Sequence, residues 1–214
     1  MHEIKINYIG NHTAISYAAS ELKNYLERMS GEKAIITSRE SYDPSEKNAL
    51  WIGLTHSFPE LKVAKVEDRA FDDSVYIRVK VKEGIIAGIN PRSVLLGVYR
   101  YLTELGCRWV RPGTEGEFIP KVALANTFAD VTEAASYRHR GICIEGAVSY
   151  EHVRDIIQWA PRVGLNGYYI QFREAYTFFD RWHSHLNNPL KEPEGFSLED
   201  ARRLVAMAAD EIKK

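Results

Sequence analysis

The chain has 214 residues, 45% of them hydrophobic and 27% charged, the make-up of a folded globular protein with one large or two small domains. Its formal net charge of -1 removes the electrostatic case for nucleic acid or an anionic membrane as the main partner. Two cysteines, Cys107 and Cys143, lie in apolar, sheet-like surroundings and read as buried free thiols, not as a disulfide framework.

Met1 to Asn7 has no basic stretch followed by an apolar run, and no apolar run in the chain is long enough to span a bilayer. The expectation is a cytoplasmic protein; a secreted chain already cleaved of its signal peptide would read the same. Ile4, Ile6 and Tyr8 alternate as in a half-buried strand. Thr13 is placed to cap a helix whose apolar stripe is Ala14, Tyr17, Ala18, Leu22, Tyr25, Leu26 and Met29, and Gly31 stops it. Lys33 to Thr37 and Ala49 to Leu54 are short apolar strands, separated by a polar loop containing Pro44. Ser74 to Val81 alternates cleanly, Glu83-Gly84 reads as the turn, and Ile85 to Ile89 returns as a hairpin. Asn90-Pro91 starts a second helix, with Asn90 capping and Pro91 in the first turn, and Gly106 closes it. Cys107 to Val110 is a short strand. Thr114 to Ala135 reads as loop with one or two extended pieces and as the domain boundary.

Residues 1–135 thus form a domain with a mixed sheet and two helices on one face. The spacing of Gly84, Gly88 and Gly97 does not fit a phosphate cradle, and no metal cluster or nucleophile elbow is present there. Residues 136–214 read as strand (Tyr137 to Gly146), a helix capped by Ser149, a second strand (Gly167 to Phe172), a long loop from Arg173 to Phe196, and a helix capped by Ser197. The last helix has the stripe Leu198, Ala201, Leu204, Val205 and Ala208. A short βαβ unit of this kind pairs its strands in parallel.

Ligands of α/β sheets bind at the C-terminal ends of the strands, and Glu145, Gln171, Arg173 and Glu174 fall there. The loop adds Trp182, His183, His185 and Asn188, a mixture suited to a sugar: an aromatic face for the apolar side of a pyranose, imidazole and amide for its hydroxyls. The same groups could equally tie the loop to its own domain. Two histidines at i and i+2 on a loop have no special metal geometry, so neither metal nor cofactor is expected. Glu145 could act as acid, base or ligand, or pair with Arg138, Arg140 or Arg173. Glycoside cleavage needs two carboxylates flanking one bond, and Glu174 is a possible partner. Arg140 shares a face with Ile142 and Ile144 if the strand alternates, which would make it an interior arginine. Asn166, just before the second strand, completes the set.

Ala18 to Met29, Trp51-Ile52-Gly53, and Leu96 to Leu102 with Gly106 to Trp109 resemble the non-catalytic domain that precedes the barrel in β-N-acetylhexosaminidases and α-glucuronidases. Tyr137 to Gly141 and Gly164-Leu165-Asn166 are similar to the first two strands of their (β/α)8 barrel, and a bacterial group of this architecture is the nearest likeness. The resemblance implies an α/β chain: an α+β N-terminal domain, then a truncated (β/α)8 barrel portion at 136–214. It implies the N-terminal fragment of a glycoside hydrolase acting on an oligosaccharide or glycoside. Where hexosaminidases have an Asp and then a sugar-gripping Arg, this chain has Glu145 and Val148. On strand two Gln171 replaces a His, and Glu174 lies near the place of an Asp. The catalytic Asp-Glu pair of that family lies at the end of strand four, so the resemblance puts it on no residue here, and a chain with two barrel units is expected to be inactive by itself. Two βα units cannot close a barrel, so the rest of a longer protein or a second copy would cover the open edge. The alternatives are a non-catalytic carbohydrate-binding module and a bare structural scaffold.

Overall fold

The computed structural model of the chain describes residues 3–144, 149–170 and 172–214. They divide into two compact units. The first comprises the residues up to Val110 together with Glu117–Arg138, and the second comprises Arg111–Gly116 and His139–Lys214.

The first unit is built on β1 (Ile4–Ile9), α1 (Thr13–Ser30), β2 (Ala34–Arg39), β3 (Ala49–Leu54), β4 (Ser74–Lys80), β5 (Glu83–Gly88), α2 (Pro91–Glu104), β6 (Arg108–Trp109), β7 (Glu117–Phe118) and β8 (Phe128–Ala134). Six strands form one sheet in the order β2-β1-β3-β5-β4-β8, and β6 pairs with β7. The β2-β1-β3-β5 run is parallel, while β4 is antiparallel to both β5 and β8. Helices α1 and α2 pack against each other and against the strands, so they share one face. This α/β class matches the sequence reading. The burial of β3 explains its unbroken apolar run: it sits inside the sheet with both faces covered.

Local chemistry sets the ends of these elements. Helix α1 is capped by His12, whose Nδ1 accepts from the Ala14 N–H at 3.1 Å, so Thr13 is the first helical residue and not the expected cap. The expected hairpin turn at Glu83-Gly84 falls instead at Val81 and Lys82, with Val81 at φ 60°. Gly84 serves a different need: a Cβ there would lie 2.1 Å from the Arg78 carbonyl oxygen, so only glycine lets the two strands approach. The stretch expected to be mostly loop, Thr114 to Ala135, ends in the seven-residue strand β8. Ala129 and Val131 point inward, and Asp130 and Thr132 face out, the alternation of an edge strand. Between the helices, Tyr25, Tyr99 and Trp109 meet edge to face, and Trp109 Nε1 donates to the Tyr25 hydroxyl at 2.9 Å. Tyr25 in turn donates to the buried Glu117, which pairs with Arg28 at 3.0 Å.

The second unit holds β9 (Gly141–Ile144), α3 (Tyr150–Trp159), β10 (Gly167–Ile170), α4 (Ala175–Ser184) and α5 (Leu198–Ile212). β9 and β10 pair in parallel, Gly141 opposite Gly167. Ser149 caps α3 by accepting from the His152 N–H, and Ser197 with Asp200 forms a full capping box on α5. The expected loop from Arg173 to Phe196 is half helix: α4 brings Phe178 and Phe179 into a fully buried cluster with Val153, Ile157, Ala201, Leu204 and Ala208. On α5, Leu198 and Val205 are exposed, so its buried stripe is narrower than expected. Cys107 is buried, and its thiol is pushed up to about 11 by burial. Cys143, expected to be buried, is exposed on the face of the β9–β10 pair turned away from that cluster. Among the described residues, no helix is long and apolar enough to cross a membrane.

Asn90 concentrates several backbone ties of the first unit. Its Oδ1 accepts from the Ser93 N–H at 2.9 Å, and its Nδ2 donates to the carbonyls of Arg69 and Asp72. Removing a cap and leaving buried carbonyls unmet costs about 2 kcal/mol or more. Asn90→Ala is therefore expected to lower the unfolding free energy by at least that amount in urea titration. A loss of about 0.5 kcal/mol or less, the range of a neutral surface change, would contradict the assignment.

Candidate functional site

The β9–β10 pair sorts the sequence candidates onto two edges. At the N-terminal edge, the Arg140 N–H donates to Asn166 Oδ1 at 2.9 Å, and the Asn166 N–H donates to the Arg140 carbonyl at 2.7 Å. Arg140 Nε also donates to the Gly164 carbonyl at 2.7 Å. Arg140 and Asn166 thus tie the two strands at the edge opposite the one where α/β ligands bind. Arg140 also has the parity of Ile142, whose in-register neighbour Tyr168 packs on the helix cluster. That face is the helix side of the pair. The opposite face carries Gly141, Cys143 and Tyr169. A Cβ on Gly141 would fall 2.0 Å from the Tyr169 ring, so the ring lies across that glycine.

At the C-terminal edge, Arg173 and Glu174 are exposed, and Glu174 opens α4 without a side-chain capping bond. Glu145 and Gln171 lie outside the described residues. Between α4, α5 and the first turn of α3 lies a pocket of about 450 Å³. Trp182, His183 and His185 line it, which brings three of the loop candidates together.

The packing of α4 fixes those three. Trp182 meets Phe178 and Phe179 edge to face, with centroids at 5.5 and 4.8 Å, so its ring is anchored by the core. Its buried Nε1 has no hydrogen-bond partner among the described residues. His183 stacks on Phe196 at 4.3 Å with 12° between the planes. His185 ends the helix in the left-handed region, φ 44°, which turns its ring back toward the loop. Asn188 does not line the pocket; its Oδ1 accepts from the Leu190 N–H and shapes the exposed turn.

Glu194 is the residue that sequence reasoning missed. One carboxylate oxygen lies 3.0 Å from His185 Nε2 and 2.5 Å from Lys191 Nζ, and the other lies 3.6 Å from His183 Nδ1. Its own N–H donates to the His183 carbonyl at 2.8 Å. The hydrogen bond from Lys191, then that from His185, holds its carboxyl down at about 2. Asp200, also in the lining, is lowered chiefly by its bond from Ser197. A general acid needs a pKa near the working pH. Neither carboxylate has one, so both serve as fixed acceptors. The pocket combines fixed acceptors, imidazoles and aromatic edges, the equipment for binding hydroxyl groups. Among the described residues, no group of three or more His, Cys, Asp or Glu is arranged to hold a metal ion.

No protein-family model and no curated protein sequence matches the chain. Solved structures do. A Streptomyces plicatus β-hexosaminidase, in complex with its product GlcNAc, superimposes with a TM-score of 0.57 at 11% identity, over 98% of this chain and 40% of that one. A Flavobacterium johnsoniae chitobiase gives 0.55 at 15% identity, over 98% and 30%. A GH138 enzyme targeting pectin rhamnogalacturonan II gives 0.52 at 12% identity, over 99% and 24%. The chain therefore shares the fold of glycoside hydrolase chains and spans well under half of their length.

The low pKa of Glu194 has a defined pH signature. A carboxyl lowered on folding contributes stability above its ordinary value of 4.5 and loses it as pH falls through about 2. The loop is expected to keep its ties through mild acid. In a carbon-detected NMR titration the Glu194 carboxyl should show a midpoint near 2, moving upward in Lys191→Ala. A midpoint near 4.5 in the unaltered chain would show that the ties are absent.

Proposed function

We propose that the chain is the N-terminal part of a carbohydrate-active glycoside hydrolase. In this reading residues 1–135 are its non-catalytic α/β domain, and residues 136–214 are the first two βα units of a (β/α)8 barrel. The observation that carries the reading is the match to hexosaminidase, chitobiase and GH138 folds across 98% or more of the chain, domain followed by parallel βαβ unit. Two features support it. β9 and β10 have each other as their only strand neighbours among the described residues, as two consecutive barrel strands would before further strands join. A pocket lined by Trp182, His183 and His185 also takes in Ser149 to Glu151, the start of the helix that follows β9, and barrel enzymes act on the segments that follow their strands.

The role of this part is to grip the glycoside. Trp182, His183, His185 and Glu194 form a quarter of the rim, with Arg173 and Glu174 at its edge; the carboxylates that cleave the bond belong to later strands. The GlcNAc bound to the Streptomyces enzyme makes N-acetylhexosamine oligomers the first ligands to try. A second reading, a purely carbohydrate-binding or scaffold module, is favoured by the fixed, low-pKa state of Glu194, which suits binding without acid-base chemistry.

The hydrolase-part and binding-module readings both predict sugar binding without turnover by this chain. Calorimetric titration with N-acetylglucosamine oligomers should show binding that His185→Ala or Glu194→Ala weakens about tenfold, the loss of one charge-assisted contact. Release of 4-nitrophenol from a panel of aryl glycosides should stay at the buffer rate. Steady turnover by the 214-residue chain would overturn the assignment of the catalytic groups to later strands. Absence of any sugar binding would leave only a scaffold.

A further inference from the structure

We propose that the first unit carries its own binding site, a cleft on the sheet face away from α1 and α2, and that it takes a carboxylate-bearing sugar. The sugar half of this assignment rests on the proposed function; the acidic half rests on charges in the first unit alone.

The strands of this sheet are apolar on both faces. Ile52, Ile77, Val79 and Ile86 serve the helix side. Alternation sends Trp51, Tyr76, Ile85 and Ala87 to the other side, where they form a second apolar cluster with Phe58, Tyr42 and Leu61. Tyr42, Phe58, Leu61 and Val63, from the segments on either side of β3, cover one end of that face. Beside the cover lies a cleft of about 580 Å³, floored by Trp51, Tyr76 and Ile85 and walled by Tyr42. That volume is within the range of roughly 300–1,000 Å³ in which small-molecule sites fall.

Its charges do not cancel. Glu46 and Glu83 are the carboxylates in the lining, and both are already engaged from outside it. Arg39 holds Glu46 at 2.8 Å, with the amide of the buried Asn7 at 3.1 Å. Lys47 lies 3.6 Å from Glu83, which also accepts from the Asn48 N–H at 3.0 Å. The three cations of the lining are Arg78, Lys80 and Lys82. Lys82 pairs with Glu32, and Arg78 stands 3.6 Å from Asp130 with its guanidinium over the Tyr76 ring. Lys80 lies directly opposite Glu83 in register, yet no ion pair to it or to another carboxylate is formed among the described residues. An ammonium group beside an aromatic floor, with the nearby carboxylates engaged elsewhere, is matched by a ligand that has an apolar ring face and an anionic substituent. A hexuronic acid has both; a neutral hexose lacks the charge, and inorganic phosphate lacks the ring.

The test is calorimetric titration of the full 214-residue chain with trigalacturonic acid, maltotriose and inorganic phosphate, repeated in Lys80→Glu and Tyr42→Ala, with thermal melts to verify folding. The expected result is binding of trigalacturonic acid alone among the three at this cleft, weakened at least about tenfold in Lys80→Glu and also weakened in Tyr42→Ala. Phosphate binding of equal strength, or trigalacturonic acid binding that Lys80→Glu leaves unchanged, would overturn the proposal. Neutral sugar binding that His185→Ala abolishes, with no trigalacturonic acid binding, would overturn the cleft and leave the proposed function standing. Failure of trigalacturonic acid to bind would overturn the cleft, while the proposed function stands or falls on the N-acetylglucosamine titration.

Discussion

The second unit depends on one packing event, the burial of Phe178 and Phe179 from α4 against α3 and α5. A two-stranded sheet cannot support a core by itself. The aromatic pair supplies the apolar mass that the strands lack, and deleting a buried Phe typically costs about 3–5 kcal/mol. The same packing event sets the pocket. Trp182 is one turn beyond Phe178 and is held edge-on by both phenyl rings. His183 and His185 follow it at the helix end, and Glu194 returns the loop to them. The groups available for a ligand are thus positioned by side chains that face the core.

The first unit solves the opposite problem. Its six-stranded sheet is large enough to need cover on both faces. Two helices supply one layer, joined by the Tyr25, Tyr99 and Trp109 contacts. Tyr42, Phe58, Leu61 and Val63, from the segments flanking β3, supply part of the other, and the cleft lies where that cover stops. Each unit therefore places its pocket at the border of its own apolar cover, where aromatic surface meets charge.

The α/β class, the order of the first-unit strands and helices, and the caps at Asn90, Ser149 and Ser197 were legible because they rest on short-range chemistry. Helix α4 was legible in principle. Ala175, Phe178, Phe179 and Trp182 have helical spacing, but Glu174 makes no side-chain cap, and the polar run from Arg181 to Asn188 masked the pattern. Glu194 was not legible: its partners lie three, nine and eleven residues back in a turn that only the folded loop brings together. For β9, alternation groups Ile142 with Ile144 but does not say which face packs on the helices. The placement of Tyr168 against the helices decides that.

The central claim is that the pocket behind α4 receives a sugar. Amide and indole correlation spectra of the 15N-labelled chain, recorded during titration with N-acetylglucosamine oligomers, test it most directly. The account predicts saturable shifts concentrated at the Trp182 indole and at residues 183–196, with the α1 amides unmoved. Shifts absent from that segment while other parts of the chain respond would contradict it.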